Sequence, residues 1–123
     1  MRVRNVAAET APTGSNTVTL FDSFVAFLGM RADVERLTHH TVVITNSQTG
    51  TLVLRKSDNG TTWDVVSSTA IAIPTGPATV STKDFVIEGM PFYQVQWTNG
   101  GVDQDATWRI AQTVTEKQRA ATT

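Results

Sequence analysis

GTLVLRKSDNGTTW, residues 50–63, is the stretch whose reading decides the fold. Thr51-Leu52-Val53-Leu54-Arg55 is strand-like, and Thr61-Thr62-Trp63-Asp64-Val65-Val66 resumes the same character after Ser57-Asp58-Asn59-Gly60. Asp, Asn and Gly tolerate the positive φ that a tight hairpin needs at its centre. The flanking Val, Leu, Thr and Trp suit a pleated, half-buried surface. The stretch therefore predicts a β-hairpin.

The same grammar runs outward in both directions. Upstream, His39-His40-Thr41-Val42-Val43-Ile44-Thr45 reads as a strand, and Asn46–Gly50 as a short loop after it. Strands over 41–45, 51–56 and 62–67 are then expected to pair as a three-stranded meander. Further upstream, TVTLFDSFVAFLGM (17–30) is the most apolar run. Phe21, Phe24, Phe27 and Leu28 have helical spacing, and the run predicts a strand at 17–21 and then an irregular or briefly helical crossing that buries the phenylalanines. Residues 31–38 suit one helical turn or a short strand. Downstream, a short strand at 69–73 ends at Pro74, Gly76 and Pro77, since proline cannot donate to a ladder. Asp84–Glu88 is another short strand. Phe92-Tyr93-Gln94-Val95-Gln96-Trp97 is the clearest alternation, with Tyr93, Val95 and Trp97 on one face and both glutamines on the other. Thr107–Ala111 returns after a polar turn, with Trp108 and Ile110 inward.

Seven or eight short strands with regular turn signals and no convincing helix suit an all-β fold, an antiparallel β-sandwich of jelly-roll type. The three tryptophans, Trp63, Trp97 and Trp108, fall on three expected strands, as one core shared by two sheets requires. The expected organisation is an extended N-terminal arm (1–16), a sandwich domain (17–114) and a C-terminal tail (115–123), with both tails flexible. The arm, with Pro12, Gly14 and few core-forming side chains, is either a disordered terminus or a segment that orders against a neighbour. In the second case Arg2 and Arg4 anchor it.

Composition bounds the chemistry. The chain has 123 residues and 13.3 kDa, which fits one domain. It is 40% hydrophobic and 17% charged, and threonine, its commonest residue, leaves an uncharged, hydrogen-bonding surface. A net charge of −1 gives no reason to expect nucleic-acid binding. There is no cysteine, which excludes disulfides and thiolate metal sites. No apolar run approaches the ~20 residues of a membrane span, and residues 1–16 lack the apolar centre of a secretory signal.

The candidate sites are few. His39 and His40 are the only histidines, and adjacent residues on a strand point to opposite faces, so they cannot share a metal. No nucleophile motif such as G-x-S-x-G accompanies them. Asp58-Asn59-Gly60 carries oxygen ligands but lacks the further acids and closing Glu of a calcium loop, and Asp103 and Asp105 are the other acidic turn residues. Tyr93 and the tryptophans suit a sugar-stacking platform only if they face outward, which their alternation opposes. No catalytic, cofactor-binding or metal-ligating residue is assigned, and no enzyme activity is expected.

Asp58-x-Gly60-x-Thr62-Trp63 also resembles the core of the Asp-box turn of sialidase-like propellers, although Lys56 stands where that box has Ser or Thr. The box is a structural hairpin in those proteins, occurs once here, and implies no hydrolysis. A broader resemblance covers residues 38–114. TLVLRKSDNGTTWDVV, MPFYQVQWTNGG and ATWRIAQTV follow one another as in small β-rich virion proteins of tailed bacteriophages. That resemblance implies a capsid decoration, or cement, protein. Such a protein is made in the host cytoplasm, sits as a homotrimer on the outer surface of the phage head, and contacts the major capsid protein. It binds no nucleic acid, membrane or cofactor. The alternatives are a tail, neck or baseplate β-module of a phage, or a carbohydrate-binding module.

Overall fold

The computed structural model describes residues 1–75 and 80–117. Eight strands form two four-stranded sheets: β1 (Arg2–Val3), β2 (Thr17–Asp22), β3 (Leu37–Thr45), β4 (Gly50–Ser57), β5 (Asp64–Ile71), β6 (Ser81–Val86), β7 (Phe92–Asn99) and β8 (Arg109–Glu116). The sheet orders are β1-β8-β3-β6 and β2-β7-β4-β5, and every pairing is antiparallel. This is the jelly-roll arrangement of two Greek keys, and the expected fold class holds. Two single-turn helices, α1 (Ser23–Ala26) and α2 (Arg31–Val34), lie between β2 and β3.

Period-two alternation builds the core. His40, Val42 and Ile44 of β3, with Val114 of the adjacent β8, face Leu52 and Leu54 of β4 and Tyr93, Val95 and Trp97 of β7 across the sandwich interior, and all are buried. Trp97 and Trp108 meet at 5.2 Å between ring centroids. Trp63 is only half-buried and, like Trp108, lies outside the strands, so only Trp97 is borne on a strand.

The expected meander does not form. β4 and β5 do pair as a hairpin, but β3 and β4 lie in different sheets. The loop after β3 is an arch rather than a turn. Gln104 fixes it: its Oε1 accepts from the backbone N–H groups of Ser47 and Gln48, and its Nε2 donates to the Gln48 carbonyl. The buried Asn46 side chain donates to the carbonyls of Gln48 and Ala72. These bonds satisfy the loop while β4 crosses to the opposite sheet. The short strand expected at 69–73 is the continuation of β5, and β3 starts earlier and β8 runs later than expected.

The β4–β5 connection is wider than a two-residue hairpin. Six residues separate Ser57 from Asp64. Ser57 Oγ accepts from Asn59 and Gly60 N–H, and Asn59 Oδ1 accepts from Thr61 and Thr62 N–H. Gly60 has φ +78°, and a Cβ there would lie 2.0 Å from the Phe24 ring, so glycine is required by both backbone and space.

The expected flexible arm is part of the sandwich. β1 pairs with β8, Val114 N–H donates to the Met1 carbonyl, and Ala8 is fully buried. The indole N–H of Trp108 donates to the Ala8 carbonyl at 2.9 Å, which places the 3₁₀ turn Val6–Glu9 over the core. A buried indole needs an acceptor, and the N-terminal backbone supplies it. At the other end β8 extends to Glu116, and Lys117 N–H donates to the Arg36 carbonyl. The remainder of the expected tail, 118–123, lies outside the described residues, as does 76–79 within the expected Pro-Gly break.

Gly50 opens β4 directly against Trp97, and a Cβ there would lie 2.1 Å from Cζ2 of the indole. The indole is fully buried and close-packed. Gly50→Ala is expected to destabilise the fold by at least about 1–3 kcal/mol, the usual cost of overpacking. Thermal denaturation checks this, and an unchanged midpoint would show that the indole can move aside.

Candidate contact surface

The two histidines point to opposite faces of β3, as adjacent strand residues must. His39 is half-buried on the outer face, within 3.0 Å of the Thr38 hydroxyl. His40 is fully buried between the sheets. Its Nε2 lies 2.8 Å from Gln112 Oε1 and its Nδ1 lies 2.7 Å from the Tyr93 hydroxyl. Gln112 Nε2 donates to the Leu20 carbonyl, which leaves Oε1 as the acceptor facing His40. That fixes Nε2–H as the donor to Gln112; in the neutral imidazole that burial favours, Nδ1 accepts from the Tyr93 O–H. Burial pushes the His40 pKa down to about 4, opposed by the Gln112 hydrogen bond and the Asp84 charge. Burial also pushes the Tyr93 hydroxyl up, so it stays protonated. The arrangement is a structural clamp with each ring nitrogen in use.

The acidic turn residues hold loop backbone. Asp103 accepts from Gly14 N–H. Asp105 accepts from the Thr107 N–H and hydroxyl, and these bonds lower its pKa. Among the described residues, no three His, Asp or Glu side chains gather into a metal-holding group.

Nor do the aromatic residues make a sugar platform. Tyr93, Trp97 and Trp108 are enclosed, and the Arg55 guanidinium lies over the half-buried Trp63 ring, 5.9 Å from its centroid. Gln94 and Gln96 do face outward, but side chains of neighbouring strands engage them. Asp22 accepts from Gln94, Arg55 donates to both glutamines, and Gln96 donates to Thr19. This ladder leaves Gln94 buried on the outer face of its sheet.

The segment between β2 and β3 carries three exposed large apolar side chains close together in the chain. Leu28 shares the helical spacing of the phenylalanines, and the structure puts it at a tip, 88% exposed, with the exposed Val25 and Met30 near it in the chain. The phenylalanines turn inward and hold the tip. Phe24 packs edge-on to Phe92 at 5.0 Å and Phe27 edge-on to Phe21 at 6.5 Å. Asp22 caps α1 through the N–H groups of Phe24 and Val25. Gly29 N–H returns to the Phe24 carbonyl, and this closure leaves Leu28 at φ +53°. A leucine in left-handed backbone is unfavourable by roughly 1–2 kcal/mol. An open groove of about 470 Å³ runs beside the tip, floored by Phe21, Val25 and Ala26, with Arg4 and Asp22 among its polar lining. The sequence signal was present in the apolar run 17–30, which is longer than one core face can absorb.

The His40 clamp generates a pH dependence. Its pKa in the fold lies below the ordinary value of 6.5, so the unfolded chain binds the extra proton. Its contribution is fully present above that value and is lost as pH falls toward 4. The loss is expected to be about 2 kcal/mol between pH 7 and pH 5, a window above most carboxylate titrations. Urea unfolding across that window measures it, and a flat midpoint would place a charged imidazole in the fold.

No protein-family model matches the sequence, and no curated protein matches it. Among solved structures, the chain is similar to the crystal structure of the PBSX exported protein XepA, with a TM-score of 0.68 at 15% identity. The match takes in 98% of this chain and 39% of that one, so the chain spans well under half the length of that neighbour. At this identity the likeness shows the fold: an antiparallel jelly roll shared by both proteins.

Proposed function

We propose that the chain is a structural protein of a bacteriophage particle, and specifically a decoration protein that binds the outer surface of the head through the major capsid protein. The observation that carries this reading is the exposed apolar tip, Val25, Leu28 and Met30, mounted on a rigid jelly roll. Apolar side chains grouped at the surface mark contact sites when polar groups rim them. Here strain accompanies exposure, and strain persists where surroundings over-determine it for a use. Two further observations support the reading. The sequence resembles small phage virion proteins over 38–114, and the neighbour XepA is itself phage-related. In this reading the chain acts as a homotrimer, so that three modest contacts add by avidity on a repeating shell.

Leu28→Asn tests it. Asn tolerates left-handed backbone better than Leu, so the variant is expected to be more stable by about 0.5–1 kcal/mol. It is also expected to bind undecorated heads at least about tenfold more weakly, through loss of buried apolar area. Co-sedimentation with heads measures binding, and light scattering of the wild type checks for three times 13.3 kDa. Labelling confined to the tail would move the chain to a tail, neck or baseplate role. Binding to neither part would overturn the virion reading.

A further inference from the structure

β8 runs over Arg109–Glu116, and β3 pairs with it from end to end. On its other side β1 covers only Gln112 and Thr113, and the Met1 backbone adds a bonded pair at Val114. After Val3 the chain leaves the sheet for the 3₁₀ turn Val6–Glu9, where the Ala8 carbonyl takes the Trp108 indole N–H. β1 is thereby stopped, and Arg109, Ile110 and Ala111 have a neighbour on one side only. Backbone groups alternate sides along a strand. Val114 turns its N–H and C=O toward Met1, so Ile110, four residues earlier, turns its own the same way. Among the described residues no backbone group meets them there.

Two adjoining hollows of about 390 and 310 Å³ lie over this open stretch, and Glu9 and Ile110 line both. Their rim is basic. Arg4 is taken up by Glu9 through two hydrogen bonds. Arg2 and Arg109 are exposed, and among the described residues neither has an acidic partner. Arg109 Nη1 donates to the carbonyls of Ala106 and Trp108, which steadies the guanidinium. Arg2 stands opposite Thr113, four residues from Arg109, so the two arginines share the outer face of the sheet. Two unopposed positive charges therefore flank an open ladder edge on a chain of net charge −1.

We propose that the open stretch of β8 binds an extended acidic segment of a partner protein, added as a short strand in line with β1. The unpaired ladder groups call for a polypeptide rather than a nucleic acid, because only a backbone N–H and C=O complete a sheet edge. The arginines call for an acidic one, since a guanidinium fork matches a carboxylate. The register follows from β1. A segment antiparallel to β8 places one residue opposite Ile110, facing inward, and its two neighbours opposite Ala111 and Arg109 on the outer face. The pattern that fits is acid, apolar, acid: one carboxylate pairs across the strands with Arg109, and the other lies on the same face as Arg2. The site uses neither Val25, Leu28 nor Met30, so it is independent of head binding through the tip.

Titration of the full chain with the blocked pentapeptide TEVET, followed by backbone amide chemical shifts, tests the proposal. Saturable shifts are expected at residues 109–111 and at Arg2, with the Ile110 amide exchanging about tenfold more slowly in saturating peptide. Binding is expected to weaken about tenfold between roughly 50 mM and 500 mM salt. The lysine counterpart TKVKT is expected to leave these amides unmoved. Arg2→Glu and Arg109→Glu, both at exposed positions, are each expected to weaken TEVET binding about tenfold or more. Lys83→Glu on β6, at the opposite edge of the same sheet, is expected to change nothing, and circular dichroism melts show that each variant folds. No saturable shift below about 10 mM TEVET, equal binding of TKVKT, or shifts that pass Ile110 by would overturn the proposal. So would a single-stranded oligonucleotide that displaces TEVET at lower concentration. Self-association of the chain alone that Arg109→Glu abolishes would put a second copy on the edge, which also overturns it. Each of these outcomes leaves the head-binding reading intact.

Discussion

A single chain of hydrogen bonds ties the two sheets together. It runs from the Tyr93 hydroxyl on β7 to His40 on β3, from His40 to Gln112 on β8, and from Gln112 to the Leu20 carbonyl on β2. Two of those strands belong to each sheet. Apolar contact between sheets is non-directional and tolerates sliding. This chain does not, because displacement by one residue would leave several polar atoms buried and unpaired. It also explains the β2 bulge in structural terms. The bulge residue's carbonyl is accepted into the interior network instead of the ladder. Among the described residues every buried side-chain nitrogen and oxygen has a partner, so the interior is polar in places but nowhere unsatisfied.

The end of the sandwich near Trp97 is fixed on the same principle. Trp97 donates to Asn99, which also accepts from Gln104; Asn99 donates to the carbonyls of Gly14 and Val102. Gln104 in turn holds the arch between β3 and β4. Trp108 reaches the N-terminal turn through Ala8. Two buried amides and two indoles thus connect the N-terminal segment, the arch and the β7–β8 loop. The route by which β3 crosses into β4 is therefore set by residues more than fifty positions away.

That distance marks the limit of what the sequence discloses. The alternation Tyr93-x-Val95-x-Trp97 is local and reads correctly, as do the β4–β5 hairpin and the jelly-roll class. Asn46–Thr49 looks like any hairpin loop, and nothing local distinguishes it from an arch; the partner that decides is Gln104. The N-terminal arm is misread for a related reason. It contributes backbone groups and the small Ala8 rather than large apolar side chains, and composition cannot register a carbonyl that caps an indole. Strand merging at 64–71 follows from a weak break, since Ser67 and Ser68 interrupt the hydrophobicity without interrupting the ladder. The clamp was legible in principle. His40 shares an inward face with Val42 and Ile44, and Gln112 shares one with Val114, so each is a polar residue in an apolar alternation. Leu28 was the opposite case, an apolar residue in an apolar run that the backbone turns outward.

The reason Leu28 points outward lies in how its neighbours are held. Phe24 is fixed by Phe92 on one side and by the glycine-bearing β4–β5 turn on another, and its carbonyl accepts from Gly29. Closing the chain between those points leaves one residue in left-handed backbone. Glycine or asparagine there would satisfy the geometry at lower free energy. A leucine gives up that stability and projects an apolar side chain from backbone held by hydrogen bonds. The interior therefore does more than stabilise the sandwich. Its aromatic pairs and caps set the position of a surface tip, and among the described residues the left-handed backbone outside glycine falls on the most exposed of the large apolar side chains.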